Sequence, residues 1–447
     1  MPPPKPPSSI QTITFPVFGI SWFADPGDDG ESIVAYGGGG GSAKTGFNNR
    51  IIVSFLKEDE DITISTGDDV CVNLVVYQEF PSKDRFVLAA IGQTVRRYSL
   101  PTGQPAGQVN VGEGCNTLAV HGMGQVFVVG CDEGPLHVYQ MPPKNSSNSS
   151  STDDAAEWTK LFSCLGHEKT VCGVSFAARS DRIVSSAKDG TARVWKQGGD
   201  CISVMKHDIT DPDDAKKKAA APAKKTPKRA TQILVRGCAF GDLEGNVVVS
   251  VASGRKGKAF LNKWTFTEEK NEYELSIRDP VHDYPISSMN LGVDGCLLAL
   301  GAVDGSILLL DVVQWRLLHK FREVHELPVT CIAARPLFHV PLAGDEHDIP
   351  LHARSASADS KMGLLTLSKK RVKRAKPAQE LKSSSSSSST ILSLPKLIVW
   401  CLLLSFLHAV YEDTMDLCAP NDLGWECIRD EVLWAPSSRP GIVTKPY

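Results

Sequence analysis

Between residues 15 and 367 the chain has almost none of the three-to-four-residue apolar spacing that marks helices. Short runs rich in β-branched and aromatic residues recur instead, separated by turn formers. Such a pattern commits the chain to many short strands. The clearest unit spans 164–195. Gly166 and His167 precede an apolar run at 171–176, a second run fills 182–186, and Asp189 with Gly190 leads into a third run ending on Trp195. The aspartate recurs in the same local context: Asp132 stands before 135–139, Asp304 and Gly305 before 306–310, and Asp359 before 363–367. Four such placements mark repetition rather than coincidence.

The unit resembles one blade of a WD-repeat β-propeller, whose repeats carry a glycine-histidine pair and end in a tryptophan-containing strand. In such a blade Asp189, at the tight turn, accepts hydrogen bonds that tie the turn to His167 and to a strand hydroxyl such as Ser186. Trp195 then packs between blades, so His167, Asp189 and Trp195 are expected to be structural rather than catalytic. With the weaker stretches added, blades are expected at 15–57, 67–100, 113–141, 162–196, 231–266, 284–311 and 327–368. The fold expected is therefore all-β, a seven-bladed WD-repeat β-propeller over 15–368 with a single C-terminal transmembrane helix. A disordered N-terminus is expected at 1–14.

The net charge of −3 over 447 residues leaves no global electrostatic footprint for nucleic acid or for an acidic substrate. Nine of the twelve cysteines are scattered between Cys71 and Cys331 without paired metal spacing. They read as small apolar core residues in a reducing compartment, and a zinc site is not expected. Two insertions interrupt the repeat. Residues 144–157 are rich in serine, asparagine and acid, and 211–230 carry six lysines and Arg229 among alanines and prolines. Both read as disordered surface loops. The basic one lacks the interleaved aromatics that stack bases, so no nucleic-acid partner is expected.

At the other end, 391–411 is almost continuously apolar, about the 20 residues that cross a bilayer as a helix. Pro395 suits a first helical turn and Lys396 can snorkel to the headgroups; a buried core helix is the alternative. Lys369, Lys370, Arg371, Lys373 and Arg374 lie upstream, whereas Glu412, Asp413 and Asp416 lie downstream. The positive-inside rule then puts the propeller in the cytosol and 412–447 in the lumen as a short tail. There Cys418 and Cys427 either pair or stay free thiols. Residues 369–390, basic and then serine-rich, read as a flexible tether. Residues 1–9 are proline-rich with no signal-peptide core. Glycans on the sequons at Asn145 or Asn148 would overturn this topology.

The expected chemistry centres on five consecutive glycines, Gly37 to Gly41, which continue as Ser42, Ala43, Lys44, Thr45, Gly46, Phe47, Asn48 and Asn49. Ordering such a run is entropically costly, so the backbone must either turn unusually or approach something closely. Gly38 to Thr45 approximates a nucleotide-binding P-loop, but Ala43 stands where the motif needs its second glycine. The sequence from Arg50 to Phe55 then reads as a strand rather than the required helix. A merely flexible hairpin tip is the bland alternative.

A propeller with this loop in its first blade, a basic juxtamembrane segment and one C-terminal span resembles the Sec-twelve, or prolactin regulatory element-binding protein-like, family. The most specific part of the resemblance is Gly37 to Asn49. It implies a guanine-nucleotide exchange factor, not an enzyme with covalent chemistry of its own. The implied partners are a Sar-type small GTPase in its GDP form and the endoplasmic reticulum membrane, where the GTPase starts COPII coat assembly. It also implies that Thr45, Gly46 and Asn49 belong to the GTPase-contacting loop. A potassium ion would be held by the backbone carbonyls of Gly37, Gly38, Gly39, Gly40, Gly41 and Ser42. Lys44, itself positive, is not a cation ligand. A related non-exchanging trafficking facilitator of plants, or a propeller scaffold, is the runner-up.

Overall fold

Alternating runs bounded by glycine and aspartate turns can bury one face only by pairing with their chain neighbours, and they do so throughout. The computed structural model describes residues 8–24, 32–42, 46–56, 60–142, 158–210, 232–292, 295–336 and 350–368. These form seven four-stranded antiparallel sheets. The chain divides into two compact units, Met1–Arg371 and Val372–Tyr447, and every described residue belongs to the first. The segments expected as insertions (144–157, 211–230), tether (369–390), membrane span (391–411) and tail (412–447) lie outside the described residues. Among the described residues no helix is long and apolar enough to cross a membrane.

The first strand of each sheet faces a common axis. These inner strands are Val17–Ala24, Cys71–Gln78, Cys115–Val120, Val171–Phe176, Leu234–Phe240, Ile286–Leu291 and Val329–Ala334. Each touches the next, and the first touches the last, so the ring closes. Residues from all seven line an axial channel of about 580 Å³. Every inner strand carries a bulge near its start, at Phe18, Val72, Asn116, Cys172, Arg236, Ser287 or Thr330. A bulge adds local twist and bends the strand, and all seven of these residues border the channel at one end. The apolar core lies between neighbouring sheets, where Ile33, Ile51 and Val53 of the first interleave with Leu74, Val87 and Ala89 of the second.

Two boundaries differ from expectation. The expected blades stop short of each outermost strand: the fourth sheet runs on to Cys201–Lys206 and the fifth to Glu272–His282. Outer strands are half exposed, so their apolar alternation is weak. The N-terminus also does not all precede the propeller. Ser8–Thr12 pairs antiparallel with Lys361–Ser368 and supplies the fourth strand of the seventh sheet. This short, polar strand covers an edge that would otherwise present unpaired backbone groups.

In the fourth sheet the expected network forms with one change. His167 Nδ1 lies 2.8 Å from Asp189 Oδ2, and Asp189 Oδ1 accepts from Thr191 Oγ1 at 2.8 Å. The strand hydroxyl is Ser185, not Ser186: its Oγ sits 2.8 Å from His167 Nε2 and accepts from Trp195 Nε1 at 2.8 Å. Successive strand side chains point to opposite faces, so only one of the two serines can face His167. Trp195 is fully buried against Val128, Leu136 and Val138 of the third sheet.

Candidate functional site: the glycine loop of the first sheet

The glycine run joins Ser32–Gly38 to Asn49–Phe55, the second and third strands of the first sheet. In an antiparallel sheet that connection lies at the end where the inner strand begins. The loop therefore shares its end of the sheets with the bulges and with the His167–Asp189 pair.

The glycines do separate jobs. Gly37 and Gly38 are strand residues paired with both neighbours, and a Cβ on Gly38 would fall 1.9 Å from the Pro16 carbonyl oxygen. The next residue, Gly39, has φ of +138° and lies so close to Asn49 that a Cβ would sit 2.3 Å from Oδ1. Its amide donates to Pro16 O at 3.0 Å. No side chain larger than hydrogen fits there. Two other segments clamp the loop's root. The guanidinium of Arg50 rests over the Phe15 ring, 4.9 Å from its centroid, and the turn after Glu60–Gly67 approaches from the opposite side.

Asn49 fastens the loop to that turn. Its Oδ1 accepts from the Gly41 amide at 2.9 Å. Its Nδ2 faces the carbonyls of Gly41 (3.1 Å), Gly67 (3.0 Å) and Asp68 (2.8 Å). The residue is only 6% exposed, so its carboxamide shapes the loop from beneath. Of the other expected contact residues, Gly46 is exposed with φ of +83°, and Thr45 lies outside the described residues. Sequence reasoning passed over Phe47, an aromatic 44% exposed beside Asn48 at the loop's descending side. Its signal was an apolar side chain in a glycine loop with no core to join.

The carbonyls of Gly37 to Ser42 do not fit the expected potassium cage. Those of Gly37 and Gly38 lie within the sheet ladder, and that of Gly41 accepts from Asn49. The described carbonyls that do converge, from Gly41, Gly67 and Asp68, converge on the Asn49 amide nitrogen, a neutral donor. Only Gly39, Gly40 and Ser42 remain, too few for a cage of carbonyl oxygens. Cysteine chemistry is absent from the loop; Cys71, below Gly37, is held well above the usual thiol range by burial.

Comparison with known proteins agrees with the ring and adds two partial likenesses. Residues 158–196 match the family described as WD domain, G-beta repeat. The chain is 23% identical to SEC12-like protein 2 of Arabidopsis thaliana over 221 residues, 49% of this chain and 46% of that protein. It is 46% identical over 48 residues to zinc finger CCCH domain-containing protein 17 of Oryza sativa subsp. japonica, covering 10% of this chain and 11% of that one. The chain thus spans less than half the length of the curated relatives it matches. It is a seven-bladed propeller that carries a WD repeat at 158–196 and has distant similarity to a SEC12-like protein.

Proposed function

We propose that this chain is a guanine-nucleotide exchange factor for a Sar-type small GTPase, working at the endoplasmic reticulum membrane to start COPII coat assembly. One observation carries the reading. The loop is fixed at its root by a buried carboxamide and by the Pro16 contact, while Ser42, Gly46, Phe47 and Asn48 stay exposed. The described ends of the loop, held this way, need little further ordering when a partner docks. Asn49 is a positioning residue in this reading, and the exposed residues make the contact. Distant similarity to a SEC12-like protein adds support.

Exchange requires no bond making by the propeller. Binding favours a GTPase arrangement that holds GDP weakly; by linkage, incoming GTP weakens the propeller's own grip and frees the product. Residues 391–411 would tether the chain to the bilayer with the sheets in the cytosol. A non-exchanging facilitator or scaffold is the second reading. It is favoured by the tight packing around Gly37 and Gly38, which explains those glycines without any partner.

The test is GDP release from a purified Sar-type GTPase, with the full chain in detergent. Acceleration by the wild type that falls at least tenfold in Phe47→Ala and in Asn49→Ala supports exchange through this loop. A folded wild-type chain that does not accelerate release overturns it in favour of the scaffold.

A further inference from the structure

The end of the ring that carries the glycine loop is fastened in a regular way in three sheets. A histidine ahead of the inner strand reaches an aspartate in the turn between the second and third strands. The pairs are His167 with Asp189 at 2.8 Å, His282 with Asp304 at 3.1 Å, and His325 with Asp359 at 3.2 Å. The third sheet departs from this scheme. Its connector, 111–114, reads Val-Gly-Glu-Gly and brings no histidine to Asp132.

Three other groups meet there instead. Glu113 comes from that connector, Cys131 ends the strand Val126–Cys131, and His137 lies in Leu136–Gln140. One ligand atom from each, a carboxylate oxygen, Sγ and an imidazole nitrogen, lies within 4.8 Å of the others. His137 Nε2 and Glu113 Oε1 stand 3.7 Å apart. That is too long for a hydrogen bond. It matches the edge of a tetrahedron whose corners lie about 2.0–2.3 Å from a central ion, an edge of about 3.3–3.8 Å. The second ring nitrogen, Nδ1, lies 2.9 Å from Ser163 Oγ. With the proton on Nδ1 and donated to that hydroxyl, the Nε2 lone pair is free and held in direction, as an outer-shell partner does for a ligating histidine. Glu113 Oε2 is buried and has no hydrogen-bond partner.

We propose that Glu113, Cys131 and His137 form a three-ligand site for a divalent transition ion of the zinc class, with a fourth position open to water. Mixed thiolate, imidazole and carboxylate donors suit that class. Binding expels the Cys131 thiol proton to solvent, so the metal bridges the connector to two strands. In the third sheet the ion takes the fastening role that the histidine-aspartate pair has in the fourth. Sequence spacing gave no hint of it, because 18 and 6 residues separate the ligands.

Cobalt(II) is the probe, added to the full chain after chelator treatment. One equivalent is expected to produce a thiolate-to-cobalt charge-transfer band that zinc abolishes by displacement. Cys131→Ala is expected to remove the band. That variant should fold, because Ala187 occupies the matching register in the fourth sheet. Glu113→Gln, in a connector, should weaken binding about tenfold or more. Cys201→Ser, at the exposed thiol, should leave both band and affinity unchanged. The proposal is overturned if the wild type gives no thiolate band, or if the band survives Cys131→Ala.

Discussion

The third and fourth sheets are neighbours with the same strand order and the same inner-strand bulge, yet they secure the same end by different chemistry. In the fourth, Asp189, His167, Ser185, Thr191 and Trp195 satisfy one another in a closed hydrogen-bonded set. Burial alone would raise the Asp189 carboxyl, but hydrogen bonds from His167 and Thr191 outweigh it and hold the group well below the usual carboxylate range. In the third, Val129 and Tyr139 occupy the register positions of Ser185 and Trp195, and a carboxylate, a thiol and an imidazole stand close without closing a hydrogen-bonded set. One framework thus accepts two fastenings, because strand pairing and inter-sheet packing already fix the backbone. Side chains at the end add local security.

The largest expected effect tests the closed set directly. Asp189→Ala leaves His167 Nδ1 and the Glu168 and Thr191 amides without their acceptor, and should cost about 3 kcal/mol in chemical denaturation. The contrasting Asp132→Ala should cost under about 1 kcal/mol, as for most substitutions outside such networks. Equal losses would break the comparison.

Acid provides a second probe through the fifth sheet, where His207 takes the histidine role with Ser250 instead of an aspartate, at 2.7 Å. Burial pushes the His207 imidazole down from 6.5 to about 4. The unfolded chain therefore takes up a proton that the folded one refuses, and stability is intact above pH 6.5 and declines as pH falls toward 4. A shift of this size corresponds to about 3 kcal/mol at most. His207→Gln should flatten that part of a pH-dependent denaturation series relative to wild type; unchanged slopes would place the acid response elsewhere.

Asn49→Ala comes next. It removes the carboxamide that joins Gly41 to the Gly67–Asp68 turn, and should cost about 1–2 kcal/mol. Faster amide exchange should be confined to 39–42 and 66–69, with the third and fourth sheets unaffected. Spread of that loosening into the fourth sheet would show that the fastenings are not local. The smallest effect is expected for Cys131→Ala in metal-free buffer, about 1 kcal/mol for a small buried side chain. The same substitution should abolish any rise in melting temperature that zinc gives the wild type.

Much of the architecture was legible beforehand. Seven repeats followed from the spacing of apolar runs, and His167, Asp189 and Trp195 took their expected places. Errors fell where burial is one-sided or partners are remote. The outer strands and Ser8–Thr12 lack strong alternation, because one face and one edge meet water. The choice of Ser185 over Ser186 depends on strand register, which a single residue shift would invert. At the glycine loop the run itself was conspicuous, but its first members proved to be packing residues. The partners of Asn49 lie 18 and 19 residues onward in a turn.

By itself the sequence determined that this chain pairs short strands in a repeating ring, and that a glycine loop interrupts the first repeat. Those features reside in local periodicity and turn chemistry. Only the tertiary structure decided which side chains meet. It sent Asn49 inward to brace the loop, left Phe47 exposed, completed the seventh sheet with the N-terminal strand, and gathered Glu113, Cys131 and His137. Contacts of that kind arise from register and ring closure, which bring together residues whose separation along the chain carries no periodic signal.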